Sequence, residues 1–179
     1  MDDLFDHLGR RLYTEKELKL LKQQLKTKLG VDLRLVDKEK GFQKLPVTKN
    51  GKTKWIRSDE LLKDWNRRGV VGKFHEGPPP VMILRSNNAS ELTVFHEKIH
   101  MEVWLDKLPK MHIVDEEKYV FDAIFKAKDT HKWTNAELID AYDYINEIIN
   151  QWNRTGKKFP NVKNEYIEQL KINKYFNFR

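Results

Sequence analysis

The sequence predicts an α+β fold, with a small sheet in its N-terminal half and a helical C-terminal part. Three observations carry this expectation. Helical periodicity gives way to strict alternation at Gly30, a four-residue apolar run at Val81–Leu84 stands between prolines and a polar turn, and Ala89 to Leu108 contains neither Gly nor Pro. With 179 residues the chain is long enough for one domain with a hydrophobic core and short for two, so residues 1–179 are expected to form a single domain.

The first helix is expected from Thr14 to Leu29. Leu18, Leu20, Leu21, Leu25 and Leu29 recur at helical spacing, Thr14 and Glu17 have the separation of a capping box, and Gly30 supplies the stop. Val31 to Val36 then alternates apolar and charged residues, the pattern of a half-buried strand. From Asp37 to Lys54 the chain is rich in Lys, Gly and Asn, with a turn signal at Asn50-Gly51, and a short helix follows from Ser58 to Arg68. Gly69, Gly72 and Gly77-Pro78-Pro79-Pro80 predict irregular chain that delivers Val81 in an extended state, and Val81 to Arg85 is a strand.

A polar turn at Ser86–Asn88 leads into a helix from Ala89 to Leu108, ended by Pro109. Further helices are expected from Asp115 to Ala127, from Thr134 to Trp152 and, after a break at Gly156–Asn161, from Glu165 to Ile172. An aromatic tail of Tyr175, Phe176 and Phe178 closes the chain.

Composition narrows the chemistry. Cysteine is absent, so any metal must be held by His and carboxylate, and there is no thiol nucleophile. No stretch approaches the roughly 20 apolar residues of a membrane span, and the N-terminus lacks the basic-then-apolar order of a secretory signal. The formal charge of +7 is spread along the chain with acids interleaved, which reads as a solvated surface; nucleic acid is not the expected partner.

The chemistry lies at His96-Glu97-Lys98-Ile99-His100, an HExxH pattern on the predicted 89–108 helix. Residues four apart on a helix project about 40° from one another, so the two imidazoles stand one turn apart on one face and can share a zinc ion. Glu97 projects beside them, where a carboxylate can take a proton from a water acidified by the metal. Leu92, Phe95, Ile99 and Val103 supply the apolar face that anchors the helix.

Zinc needs a third protein ligand, and Glu117 is the expected one, at the start of a helix that folds back after Pro109. Glu116, Asp106 and His112 are the alternatives. Asp106 has the spacing of an extended motif, but Val103 stands where that motif needs a helix-breaking glycine. Tyr119, His131 and Tyr142 are candidate donors to a developing oxyanion, and Asp122 could orient a ligand histidine. The Val81–Arg85 strand has two readings: an edge that pairs with an extended peptide substrate, or a plain core strand.

Phe95-His96-Glu97-Lys98-Ile99-His100, the strand ending in Leu84-Arg85, and Glu116-Glu117-Lys118-Tyr119-Val120-Phe121 ahead of Ala141-Tyr142-Asp143-Tyr144-Ile145 together resemble the zincin-like metallopeptidase toxin domains of bacterial polymorphic toxins. The resemblance runs from about Leu18 to the helical C-terminal part. It implies a zincin-like fold, His96, His100 and Glu117 as zinc ligands, and Glu97 as the acid/base. It also implies a protein or peptide substrate, an immunity protein as partner, and delivery into a target cell by a specialised secretion system, from the producer's cytoplasm and without a signal peptide. Two rival classes stand beside it: a basic nucleic-acid-binding module and a non-catalytic interaction domain of a secreted effector.

Overall fold

The computed structural model describes residues 5–6, 9–49 and 52–176. The fold is α+β and divides into two compact units, Met1–Asp106 and Lys107–Arg179. Among the described residues no helix is long and apolar enough to cross a membrane. Asn50-Gly51 and Phe178 lie outside the described residues.

In the first unit, α1 (Glu15–Leu29) begins with the expected capping box: the Thr14 hydroxyl accepts from the Glu17 amide, and Glu17 reaches back to the Thr14 amide at 2.7 Å. The Arg11 guanidinium, with the Thr14 amide behind it, holds the Glu17 carboxyl down at about 2. Gly30 closes the helix at φ 67°, a left-handed conformation that costs other residues energy. The chain then enters β1 (Asp32–Leu35), which pairs in parallel with β5 (Val81–Leu84), and β4 (Gly72–His75) pairs antiparallel with the other side of β5.

The position of β5 explains its composition. Met82 and Leu84 join α1, β1, Phe74 and α3 (Glu91–Leu105) in one core, whereas Val81 and Ile83 join Val36, Leu45, Leu61 and Trp65 in a second core on the opposite face. A strand buried on both faces reads as an unbroken apolar run rather than an alternation. All four side chains are at most 4% exposed, and each contributes roughly 1.5–3 kcal/mol of burial. Because both edges of β5 carry ladder partners, the reading of this strand as a substrate-pairing edge is corrected: its backbone groups are already used.

Three strands were hidden in the sequence. β2 (Lys44–Lys49) and β3 (Lys52–Arg57) form an antiparallel hairpin, and β4 occupies part of the stretch expected to be irregular. Leu45, Val47 and Ile56 alone mark its apolar face, because the positions of Lys49, Lys52 and Lys54 continue that same face toward the turn and break the alternation. The helix α2 (Ser58–Arg68) follows and buries Leu61 and Trp65 against that face.

The second unit is helical: α4 (Ile113–Lys126), α5 (Lys128–His131), α6 (Asn135–Asn153) and α7 (Glu165–Phe176). A second capping box at Thr134 and Glu137 starts α6. Phe121 of α4 meets Tyr142 of α6 with ring centroids 5.9 Å apart, and the Tyr142 hydroxyl donates to Glu168 of α7 at 2.9 Å. Asn146 holds the return segment by bonding both the amide and the carbonyl of Val162.

His75 on β4 is 2% exposed. Its Nδ1 lies 3.1 Å from the Thr48 hydroxyl of β2, and its Nε2 has no hydrogen-bond partner among the described residues. Burial, and then the ammonium of Lys73, hold this imidazole below its ordinary value of 6.5. The folded state therefore prefers the neutral ring more than the unfolded chain does. The stability this contributes is complete above pH 6.5 and is lost as pH falls below it. Thermal melts should show a drop in Tm from about pH 7 to about pH 5 that is smaller in His75→Gln. An equal drop in both proteins would remove His75 from the account.

Candidate metal centre

The centre is built on α3. Ser90, fully buried, caps this helix by accepting from the Thr93 amide at 3.2 Å, and Leu92, Val94, Ile99 and Met101 are buried along it. That anchoring fixes the rotation of the helix about its axis and so the face that carries His96 and His100. The two imidazoles come together as their spacing predicts: Nε2 of His96 lies 3.1 Å from Nε2 of His100, with ring centroids 4.9 Å apart. Both rings are half-buried, and Glu97 between them in sequence is 5% exposed.

Glu97 lies against β4, and Gly72 makes that possible. A Cβ at residue 72 would stand 2.9 Å from Oε1 of Glu97, 3.0 Å from its Cγ and 3.0 Å from Leu84. Sequence reasoning treated Gly72 only as punctuation in irregular chain. The sequence held little signal for it, since the Gly-Lys-Phe-His strand ends on two consecutive buried residues and shows no alternation.

Glu117, the expected third ligand, is a buried residue of α4 in the second unit, 7% exposed. Two imidazoles one turn apart on a helix face, joined by one carboxylate, are a donor set that can hold a metal ion. Asp106 is an exposed C-cap residue whose amide bonds back to Glu102, because the helix does run on past Val103 and ends only at Leu105. Glu116 sits in the first turn of α4, where its charge favours the helix dipole.

His112 has a different occupation. It is the N-cap of α4, its Nδ1 accepting from the Val114 amide at 3.2 Å, and its ring stacks on Phe159 and meets the edge of Trp152. Of the expected oxyanion donors, Tyr119 is 47% exposed and His131 stacks on Trp133 at 4.7 Å. Tyr142 is occupied with Glu168, and its hydroxyl is pushed above its ordinary value by burial and by that carboxylate. Asp122 is exposed.

Gly72→Ala forces a methyl group into the space of a buried carboxylate, and overpacking of this kind costs about 1–3 kcal/mol. Denaturant unfolding should show that loss, and a smaller loss when the substitution is made in a Glu97→Ala background, where the clash with the carboxylate is gone and only the 3.0 Å approach to Leu84 remains. Equal losses in the two backgrounds would mean that the glycine does not make room for Glu97.

No protein-family model, curated protein or solved structure matches the chain.

Proposed function

We propose that the chain is a zinc-dependent metallopeptidase that hydrolyses peptide bonds in a protein substrate. The observation that carries this reading is the convergence of the His96 and His100 ring nitrogens at 3.1 Å, with Glu97 buried on the same helix. Zinc–nitrogen bonds of about 2.0–2.1 Å at tetrahedral angles place two ligand nitrogens about 3.3 Å apart, so the pair is close to the separation zinc requires. A set of two imidazoles and one carboxylate, with no thiolate in the chain, suits a catalytic zinc with an open position.

In this reading His96, His100 and Glu117 are the ligands. The metal supplies Lewis acidity toward a carbonyl oxygen and lowers the pKa of a water at the site to about 7. Glu97 carries the proton: its carboxylate accepts it from the attacking water and returns it to the departing amine. The wall made by β4 and Gly72 limits the rotamers open to Glu97, which keeps its carboxylate buried rather than swinging into solvent. The resemblance to zincin-like toxin domains supports an effector role, with a target-cell protein as substrate and an immunity protein as partner.

Zinc-loaded protein incubated with unfolded proteins and a peptide library should give cleavage that Glu97→Gln lowers by about 10²–10⁴-fold while zinc content stays the same. Cleavage undiminished in Glu97→Gln, or no cleavage by the zinc-loaded parent, contradicts the reading.

A further inference from the structure

A second surface of the first unit has chemistry unrelated to the metal centre. Charges balance along most of the chain, but residues 40–57 contain Lys40, Lys44, Lys49, Lys52, Lys54 and Arg57 with no Asp or Glu. These residues form the β2–β3 hairpin and the turn before it. The register places Lys44 opposite Arg57 and Pro46 opposite Trp55, so these four share the face opposite Leu45 and Ile56; Lys44, Trp55 and Arg57 are exposed on it and Pro46 is buried. Trp55 is 51% exposed and Phe42, in the preceding turn, 67%. Two large aromatic groups stand in solvent among cations.

This face forms one wall of a groove of about 210 Å³, lined by Lys26, Asp32, Arg34, Lys44, Pro46 and Trp55 among others. Three cations therefore face one carboxylate. Asp32 is engaged by Lys22 at 4.0 Å and Arg34 at 3.7 Å, and Arg34 is also clamped by Glu39 at 2.6 Å. Lys26 and Lys44, by contrast, have no ion-pair partner among the described residues, nor do Lys52 and Lys54 further along the hairpin. Unneutralised ammonium groups beside an open indole face call for a ligand that carries both anionic charge and a flat ring. Lys26, in the last turn of α1, also offsets the partial negative charge of that helix end.

We propose that the groove and the hairpin bind single-stranded nucleic acid, with a base stacked on Trp55 and phosphates held by Lys26 and Lys44. A line of lysines interleaved with exposed aromatics is the means by which proteins track a single strand without reading its sequence. A groove of this volume accepts a flat ring and its phosphate, whereas a folded acidic surface would reach only the outward lysines and leave Trp55 and the groove unused. A double helix hides its base faces and would also leave Trp55 without a role.

The test is a titration of the full chain, read by tryptophan quenching and by the anisotropy of labelled ligands, at salt from about 50 to 200 mM. The ligands are short single-stranded DNA, the same sequence as RNA, inorganic polyphosphate and poly-glutamate. The expected result is saturable binding of the two oligonucleotides that weakens linearly with the logarithm of salt. Lys44→Ala should reduce that slope by about 1, and Trp55→Ala should weaken oligonucleotide binding by about ten-fold or more while leaving polyphosphate binding unchanged. Melting curves of each variant check that it is folded. Poly-glutamate binding as tight as the oligonucleotide, equally weakened in Trp55→Ala, would replace nucleic acid by an acidic protein partner. Oligonucleotide binding that is absent at low salt, or indifferent to Trp55, would overturn the proposal. No step of this experiment involves zinc or peptide cleavage, so it stands or falls separately from the peptidase reading.

Discussion

The arrangement of the first unit depends on the burial of β5 from both sides. Met82 and Leu84 point into the core that holds α1 and α3, and Val81 and Ile83 point into the core under α2 and the hairpin. Among the described residues no other strand contributes two buried side chains to each core. With β5 fixed, its two ladders set the heights of β1 and β4, and Phe74 of β4 packs against Trp104 near the end of α3 with centroids 5.8 Å apart. α3 is thus held at its start by Ser90, along its length by Leu92, Val94, Ile99 and Met101, and near its end by Trp104. A polar substitution in β5 would unseat all of these at once.

The candidate centre exploits that rigidity. A helix turn sets the separation of His96 and His100 directly, so their convergence needs only that the face point inward, which the apolar residues of α3 decide. Glu97 needs more, because a buried carboxylate is costly and its direction matters. The missing side chain at Gly72 is the local solution: it opens enough room for the carboxylate to lie along β4 without displacing Leu84. The elements that carry the fold and those that carry the chemistry are therefore the same ones.

Much of this was legible in the sequence, and for physical reasons. Thr14 and Glu17 announced the start of α1, Gly30 its end, and the run Val81–Leu84 the buried strand, because caps and full burial leave marks in residue type. The pairing of His96 with His100 followed from helical spacing alone. The hairpin did not show, since a strand exposed at most of its outward positions can be built from lysine and threonine, and only Leu45, Val47 and Ile56 betray it. β4 was obscured by its glycine and by the glycine–proline segment that follows it. Two roles were beyond any reading of spacing: His112, a candidate ligand by type, is a cap held between Trp152 and Phe159, and Gly72 serves a residue twenty-five positions away. Lysines that look dispersed along the chain also gather once the hairpin forms.

The central claim is that α3 presents two imidazoles to a metal ion, completed by Glu117. Elemental analysis of purified protein, after zinc loading and removal of the excess, tests it most directly, with His96→Ala and Glu117→Ala alongside. The account predicts zinc bound stoichiometrically by the parent chain and lost or greatly weakened in both variants, with the parent also gaining thermal stability on loading. A parent chain that retains no zinc contradicts the metal centre, and zinc lost only in His96→Ala contradicts Glu117 as the third ligand.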